Sequence, residues 1–126
     1  MEIISISLEK EKIEELKEAM ELSGIKSRSK LIRQAMGEFV SRQKSLSEMG
    51  GERTVIFMIT HSHSHKSDAT SATRGYENIV KTVLHHHSSR GCLDILITQG
   101  DAPKIRELYK KIQGLGGVAG VNFSII

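Results

Sequence analysis

The 126-residue chain has no tryptophan, one proline and one cysteine, and only 4% of its residues are aromatic. With so little proline, 38% hydrophobic content and 26% charged content, it is neither collagen-like nor a solvated disordered tract. The single cysteine, Cys92, excludes an internal disulfide and points to a reducing compartment, so the expected location is cytoplasmic. Long apolar runs are also missing. The longest, around residues 54–60, is too short to span a bilayer, and no basic stretch followed by an apolar one opens the chain, so neither a membrane anchor nor a secretion signal is expected. A chain of this length is too small for a barrel or a two-lobed enzyme.

Acidic residues are nearly absent from one stretch. Between Lys26 and Ser45 the sequence holds Lys26, Arg28, Lys30, Arg33, Arg42 and Lys44 against Glu38 alone, whereas the first 25 residues carry seven glutamates against three lysines. A short module so divided presents one face to polyanions and another to water.

What is present first is alternation. Over Glu2 to Leu8, Ile4, Ile6 and Leu8 fall on one face and Ile3, Ser5 and Ser7 on the other, which predicts a strand. Ile13, Leu16 and Met20 then recur at helical spacing up to Gly24, predicting a helix stopped by glycine. A second helix begins near Ser27 or Ser29, either of which can cap it, and places Leu31, Ile32, Ala35, Met36, Phe39 and Val40 on its apolar side. A strand and two helices in about 45 residues cannot bury enough surface alone, and a lone strand leaves its backbone unpaired. Two copies pairing their strands antiparallel solve both problems, so a dimer is expected.

Such a two-stranded ribbon fits the major groove of duplex DNA. Ile3, Ser5 and Ser7 from each chain would face base edges, while Ser27, Arg28, Ser29, Lys30 and Arg33, at the start of the second helix, would meet phosphates, where free amides and the helix dipole favour anions.

Residues 46–53, containing Gly50 and Gly51, read as a linker between a domain at 1–45 and a second at 54–126. In the second, strands are expected at Thr54–Thr60, Thr82–Ser88, Cys92–Thr98 and Gly117–Ile126. Helices are expected over Asp68–Val80, weakly, and over Ala102–Leu115, with Asp101 as cap and Pro103 in the first turn. The order βαββαβ is a ferredoxin-like split unit, making the whole chain α+β.

All six histidines occur in two clusters, His61, His63, His65 and His85, His86, His87. A hairpin turning at Ser89-Arg90 pairs Ser88 with Gly91, His87 with Cys92 and His85 with Asp94, so His85, His87 and Cys92 share a face while His86 points away. Two imidazoles and a thiolate suit nickel or copper in a planar arrangement and zinc in a tetrahedral one. Because the third strand of this topology lies beside the first, His61, His63 or His65 comes near Cys92 and could add a ligand. Enzymatic chemistry is not expected: no third group orients a Cys92–histidine pair, and Gly114-Leu115-Gly116-Gly117 links a helix to a strand instead of cradling phosphate.

The segment IISISLEKEKIEELKEAMELSGIKSRSKLIRQAM resembles the ribbon-helix-helix repressors, and LHHHSSRGCLDILITQGD resembles the ACT-like domain of the nickel-responsive NikR family. That resemblance implies a DNA-binding regulator of operator DNA, two ribbon-helix-helix dimers flanking an ACT-like tetramer, and nickel at the tetramer interface. It assigns three of four nickel ligands to His85, His87 and Cys92, with one residue fewer in the turn here. The fourth family ligand, a histidine of a neighbouring subunit eleven positions before the first of the pair, corresponds to Arg74, which cannot ligate because it stays protonated and has no acceptor. Relatives also carry a basic or amide side chain where this ribbon has Ile3. Two alternatives accompany this reading: an ACT-type domain answering to a small molecule, and a metal-independent regulator in which Arg74 is a built-in cation.

Overall fold

The computed structural model describes residues 1–62 and 71–126, which divide into two compact units, Met1–Lys44 and Ser45–Ile126. In the first unit, helix α1 spans Lys10–Ser23 and ends where Gly24 takes φ 77°, a left-handed conformation that costs glycine nothing, with its N–H bonded to Met20 O at 3.0 Å. Helix α2, Arg28–Glu48, is capped by Ser27, whose Oγ accepts the Lys30 N–H at 3.3 Å. Ile13, Leu16, Met20 and Ile25 face inward with Leu31 and Ile32, yet all six are only half-buried, and no residue of Met1–Lys44 is fully buried.

The strand expected over Glu2–Leu8 forms no ladder: residues 1–9 are neither helical nor paired, and Ile3, Ile4, Ile6 and Leu8 are exposed. The reason is physical. A strand needs a neighbour for its N–H and C=O groups, and one chain supplies none at this point.

In the second unit, strands β1 (Glu52–His61), β2 (Val80–Ser88), β3 (Gly91–Asp101) and β4 (Val118–Ile125) make one antiparallel sheet in the order β2-β3-β1-β4, the ferredoxin-like order. The helix expected over Asp68–Val80 begins in residues outside the description. Ser71 and Ala72 are helical, turns follow, and Val80 already belongs to β2. Helix α3, Ala102–Gln113, buries Ala102, Ile105, Leu108, Tyr109 and Ile112 and leaves its lysines in water. Pro103 sits in its first turn as expected, whereas Asp101 holds the cap position without a side-chain cap bond.

One sheet face carries the core. Val55, Phe57 and Ile59 of β1 and Leu96 and Thr98 of β3 are fully buried there with the apolar side of α3. Phe57 stacks on Tyr109 at 5.9 Å between centroids, and Phe123 meets both rings edge-on, so three of the few aromatics cluster at one point.

Residues 46–53 are less of a linker than their composition suggests. The helix runs through Glu48, and Leu46 (3% exposed) and Met49 join the core of the second unit. Arg106 Nη1 donates to Leu46 O at 3.3 Å and to Met49 O at 2.6 Å, satisfying carbonyls that a helix end leaves open. Two apolar side chains, one in the last turn of the helix and one just past its end, outweigh the surrounding Ser and Gly. Strand β1 then starts at Glu52, before the expected Thr54.

Candidate metal centre and nucleic-acid interface

The metal candidates lie at one end of the sheet, on the core face. The hairpin register is the one the two-residue turn predicts: Ser88 opposite Gly91, His87 opposite Cys92, His85 opposite Asp94. Ser88 closes the turn, its Oγ donating to Gly91 O at 2.9 Å and accepting the Arg90 N–H at 3.2 Å. Gly91, at φ 148°, lies against β1, where an added Cβ would stand 3.0 Å from His61 O, so the residue before Cys92 must be small and conformationally free.

Strand β1 pairs with β3 so that His61 is opposite Cys92. His61, Cys92 and His87 therefore form one row across three strands, with Asp94 and His85 one step along. Cys92 Sγ is 3.1 Å from His87 Nδ1, and His87 Nε2 is 3.2 Å from His85 Nε2. His85 Nδ1 bonds Asp94 Oδ1, and His61 Nε2 lies 3.0 Å from Asp94 Oδ2. A carboxylate only accepts, so the network orders its own protons: His61 Nε2–H and His85 Nδ1–H donate to Asp94, His87 Nε2–H to His85 Nε2, and the Cys92 thiol to His87 Nδ1. His85 thus keeps its Nε2 lone pair on the side of His87 and Cys92, the orientation that an outer carboxylate imposes on a metal-binding histidine.

The three residues expected to ligate come together. Donor atoms of His85, His87 and Cys92 all lie within 4.8 Å of one another, as do those of His61, His85 and Asp94. Nitrogen and thiolate donors on one rim fit nickel, with copper and zinc as chemical competitors. Of the additional candidates, His61 is buried but turned to Asp94, and His63 and His65 lie outside the described residues. Arg74 is exposed, its carbonyl accepting from Lys111 Nζ at 3.4 Å. Asp94 is the residue the sequence reading did not select, although the hairpin register already set it opposite His85.

The expected DNA contacts are all on the surface. Ile3, Ser5 and Ser7 are exposed in the N-terminal segment, Arg28, Ser29 and Lys30 occupy the first turn of α2, and Arg33 follows on the same helix. Ser27 spends its side chain on the helix cap, which fixes where the free amides of α2 begin. Among the described residues no helix is long and apolar enough to cross a membrane.

Residues 54–126 match the NikR C terminal nickel binding domain, and residues 2–49 match the Ribbon-helix-helix protein, copG family. The chain is 34% identical over 125 residues to "Putative nickel-responsive regulator 2" of Methanothermobacter thermautotrophicus, covering 96% of this chain and 89% of that one. It is 33% identical over 131 residues to the protein of the same designation, without the number, from Methanocaldococcus jannaschii, covering 100% and 92%. An uncharacterised protein from Thermotoga maritima shares the fold over 60% of this chain and 99% of its own, with TM-score 0.54 and 15% identity.

Proposed function

The chain belongs to the NikR family of ribbon-helix-helix regulators, a regulatory and not an enzymatic family, and we propose that it is a cytoplasmic repressor whose DNA binding is modulated by nickel held at His85, His87 and Cys92. The observation that carries this reading is the convergence of those three side chains on one rim of the sheet, with His85 oriented by Asp94.

The N-terminal unit supplies the DNA reader. Its apolar side chains find only partial cover in one chain, and its opening segment has no strand partner. A second copy supplies both, as an antiparallel ribbon with Ile4, Ile6 and Leu8 beneath it and Ile3, Ser5 and Ser7 toward the bases. Two serines and an isoleucine make a weakly selective reader: hydroxyls contact several bases, and Ile3 packs on a thymine methyl. Arg28, Lys30 and Arg33 add affinity through phosphates, which makes binding fall steeply with salt.

The C-terminal unit supplies assembly. The sheet face opposite the core exposes Met58 and Leu84 and leaves Ile56, Leu93, Ile95 and Ile97 only half-buried, an apolar surface on which a second copy fits. A tetramer with two ribbon heads gains affinity from joint binding to two half-sites. Bound at an interface between chains, nickel favours one arrangement of those heads by the difference of its affinity between arrangements. Occupied operator DNA is then closed to polymerase.

Nickel titration of the full chain, followed by the thiolate-to-metal charge-transfer band and by DNA retardation at fixed salt, tests the reading. A band at one equivalent per chain, with tighter DNA binding, and loss of both in Cys92→Ala are expected. No band, or DNA binding indifferent to nickel in the wild-type chain, overturns it.

A further inference from the structure

Asp94 is 2% exposed and His61 3% exposed. A carboxylate taken that far from water needs a counter-charge or a full set of donors. The hydrogen-bond partners of Asp94 are two imidazoles, His61 at Oδ2 and His85 at Oδ1. No lysine or arginine of the described residues forms an ion pair with it. Three ligand-type groups from three adjacent strands therefore meet at one point, His61 and Asp94 buried and His85 exposed, with their donor atoms within 4.8 Å of one another.

His61 has the second contact expected of a ligand. Its Nδ1 lies 3.4 Å from Ser62 O, and a backbone carbonyl on the far nitrogen is the usual anchor of a metal-bound histidine. In the opposite tautomer, with its proton on Nδ1 toward Ser62 O, His61 turns its Nε2 lone pair to Asp94, and a lone pair facing a carboxylate repels it unless a cation stands between them.

We propose a second metal site, formed by His61 Nε2, His85 Nδ1 and Asp94, that takes zinc or cobalt(II) and excludes occupation of the thiolate site. Two nitrogens and one oxygen, with further positions open, match the donor preference of those ions and lack the soft sulfur of the first site. Exclusion follows from His85 alone. A neutral imidazole has one lone pair, and its two nitrogens face different sites, Nδ1 toward Asp94 and Nε2 toward His87. Nickel at the thiolate site uses Nε2 and leaves the proton on Nδ1, donated to Asp94. A metal at the second site uses Nδ1 and moves that proton to Nε2, which then donates to His87 Nε2. His87 hands its own proton to Nδ1, and His61 moves its proton from Nε2 to Nδ1. Each imidazole stays neutral and Cys92 stays a thiol, so no proton is gained or lost. The chain thus holds two mutually exclusive tautomer orders, one for each site. In the regulator proposed above, on which this metal choice rests for its biological meaning, zinc opposes nickel by withdrawing His85.

The full-length Cys92→Ala chain isolates the second site. Calorimetric titration with zinc chloride is expected to show one zinc per chain. Adding Asp94→Asn, or His61→Gln where the carboxylate change disturbs folding, is expected to weaken zinc by more than about a hundredfold, since even outer-shell changes cost 10–100-fold. In the wild-type chain loaded with nickel, zinc is expected to extinguish the thiolate band without two metals per chain accumulating. Failure of Cys92→Ala to take up zinc, zinc binding indifferent to both added substitutions, or one nickel and one zinc bound together overturns the proposal. Absence of a nickel band in the wild-type chain counts against the nickel reading alone and leaves the zinc measurement on Cys92→Ala to stand or fall by itself.

Discussion

Replacing Ile6 by alanine tests the pairing of N-terminal segments. In a single chain Ile6 leaves 61% of its surface exposed, and the alternation along residues 3–8 turns it to the face that the proposed dimer covers. The substitution removes three carbons from each chain. At ~0.8 kcal/mol per buried carbon, scaled by the fraction still to be covered, the loss is roughly 1.5 kcal/mol per chain and roughly 3 kcal/mol per symmetrical pair. With tenfold in affinity for every 1.4 kcal/mol, the ribbon pairing weakens by about a hundredfold. Sedimentation equilibrium of the full chain over a range of concentrations measures it, and whatever the C-terminal unit adds to assembly is common to both proteins. Ile3→Ala is the control, the same chemical change on the opposite face, and is expected to stay within about fivefold of wild type because exposed substitutions rarely exceed about 0.5 kcal/mol per chain. Equal weakening by both substitutions refutes the period-two assignment of faces. No weakening by Ile6→Ala refutes the paired ribbon itself, and with it the major-groove reading of Ser5 and Ser7.

Three further outcomes are expected. Gly91→Ala, which forces a side chain into φ 148° with its Cβ 3.0 Å from His61 O, should lower stability by about 1–3 kcal/mol and weaken nickel binding by displacing Cys92; an unchanged thermal midpoint contradicts the strained position. Leu108→Ala, at a fully buried site on α3, should cost about 2–5 kcal/mol, read as a lower urea midpoint at unchanged slope, while Lys110→Ala on the same helix should stay within about 0.5 kcal/mol. Arg74→His should raise nickel affinity by at least about tenfold, the low end of what even an outer-shell change is worth, measured by chelator competition; unchanged affinity denies residue 74 the position of a lost ligand.

The hairpin was readable in the sequence because a two-residue turn leaves no freedom: once Ser89 and Arg90 turn, every later pair is fixed, and period two sets which side chains share a face. That register alone brings His85, His87 and Cys92 together and sets Asp94 opposite His85, but it carries no sign of what Asp94 does. Its role depends on burial and on His61, and His61 arrives from β1, across a pairing that joins residues some thirty positions apart. Leu46 and Met49 were hidden for a different reason, since composition over eight residues averages away two apolar side chains, one in the last turn of α2 and one just beyond it. The ribbon is the converse case. Its alternation is plain in Ile4, Ile6 and Leu8, and the single chain shows no strand because it offers these residues no hydrogen-bond partner, which in the proposed dimer a second copy supplies. Local period therefore identifies which surfaces are built to be covered, and tertiary or quaternary pairing decides what covers them. By that rule an Ile-Ser-Ile segment, an uncovered pair of helices and a half-exposed isoleucine face on the second sheet surface are all built to be covered, and in the assembly proposed above a second copy of this chain covers all three.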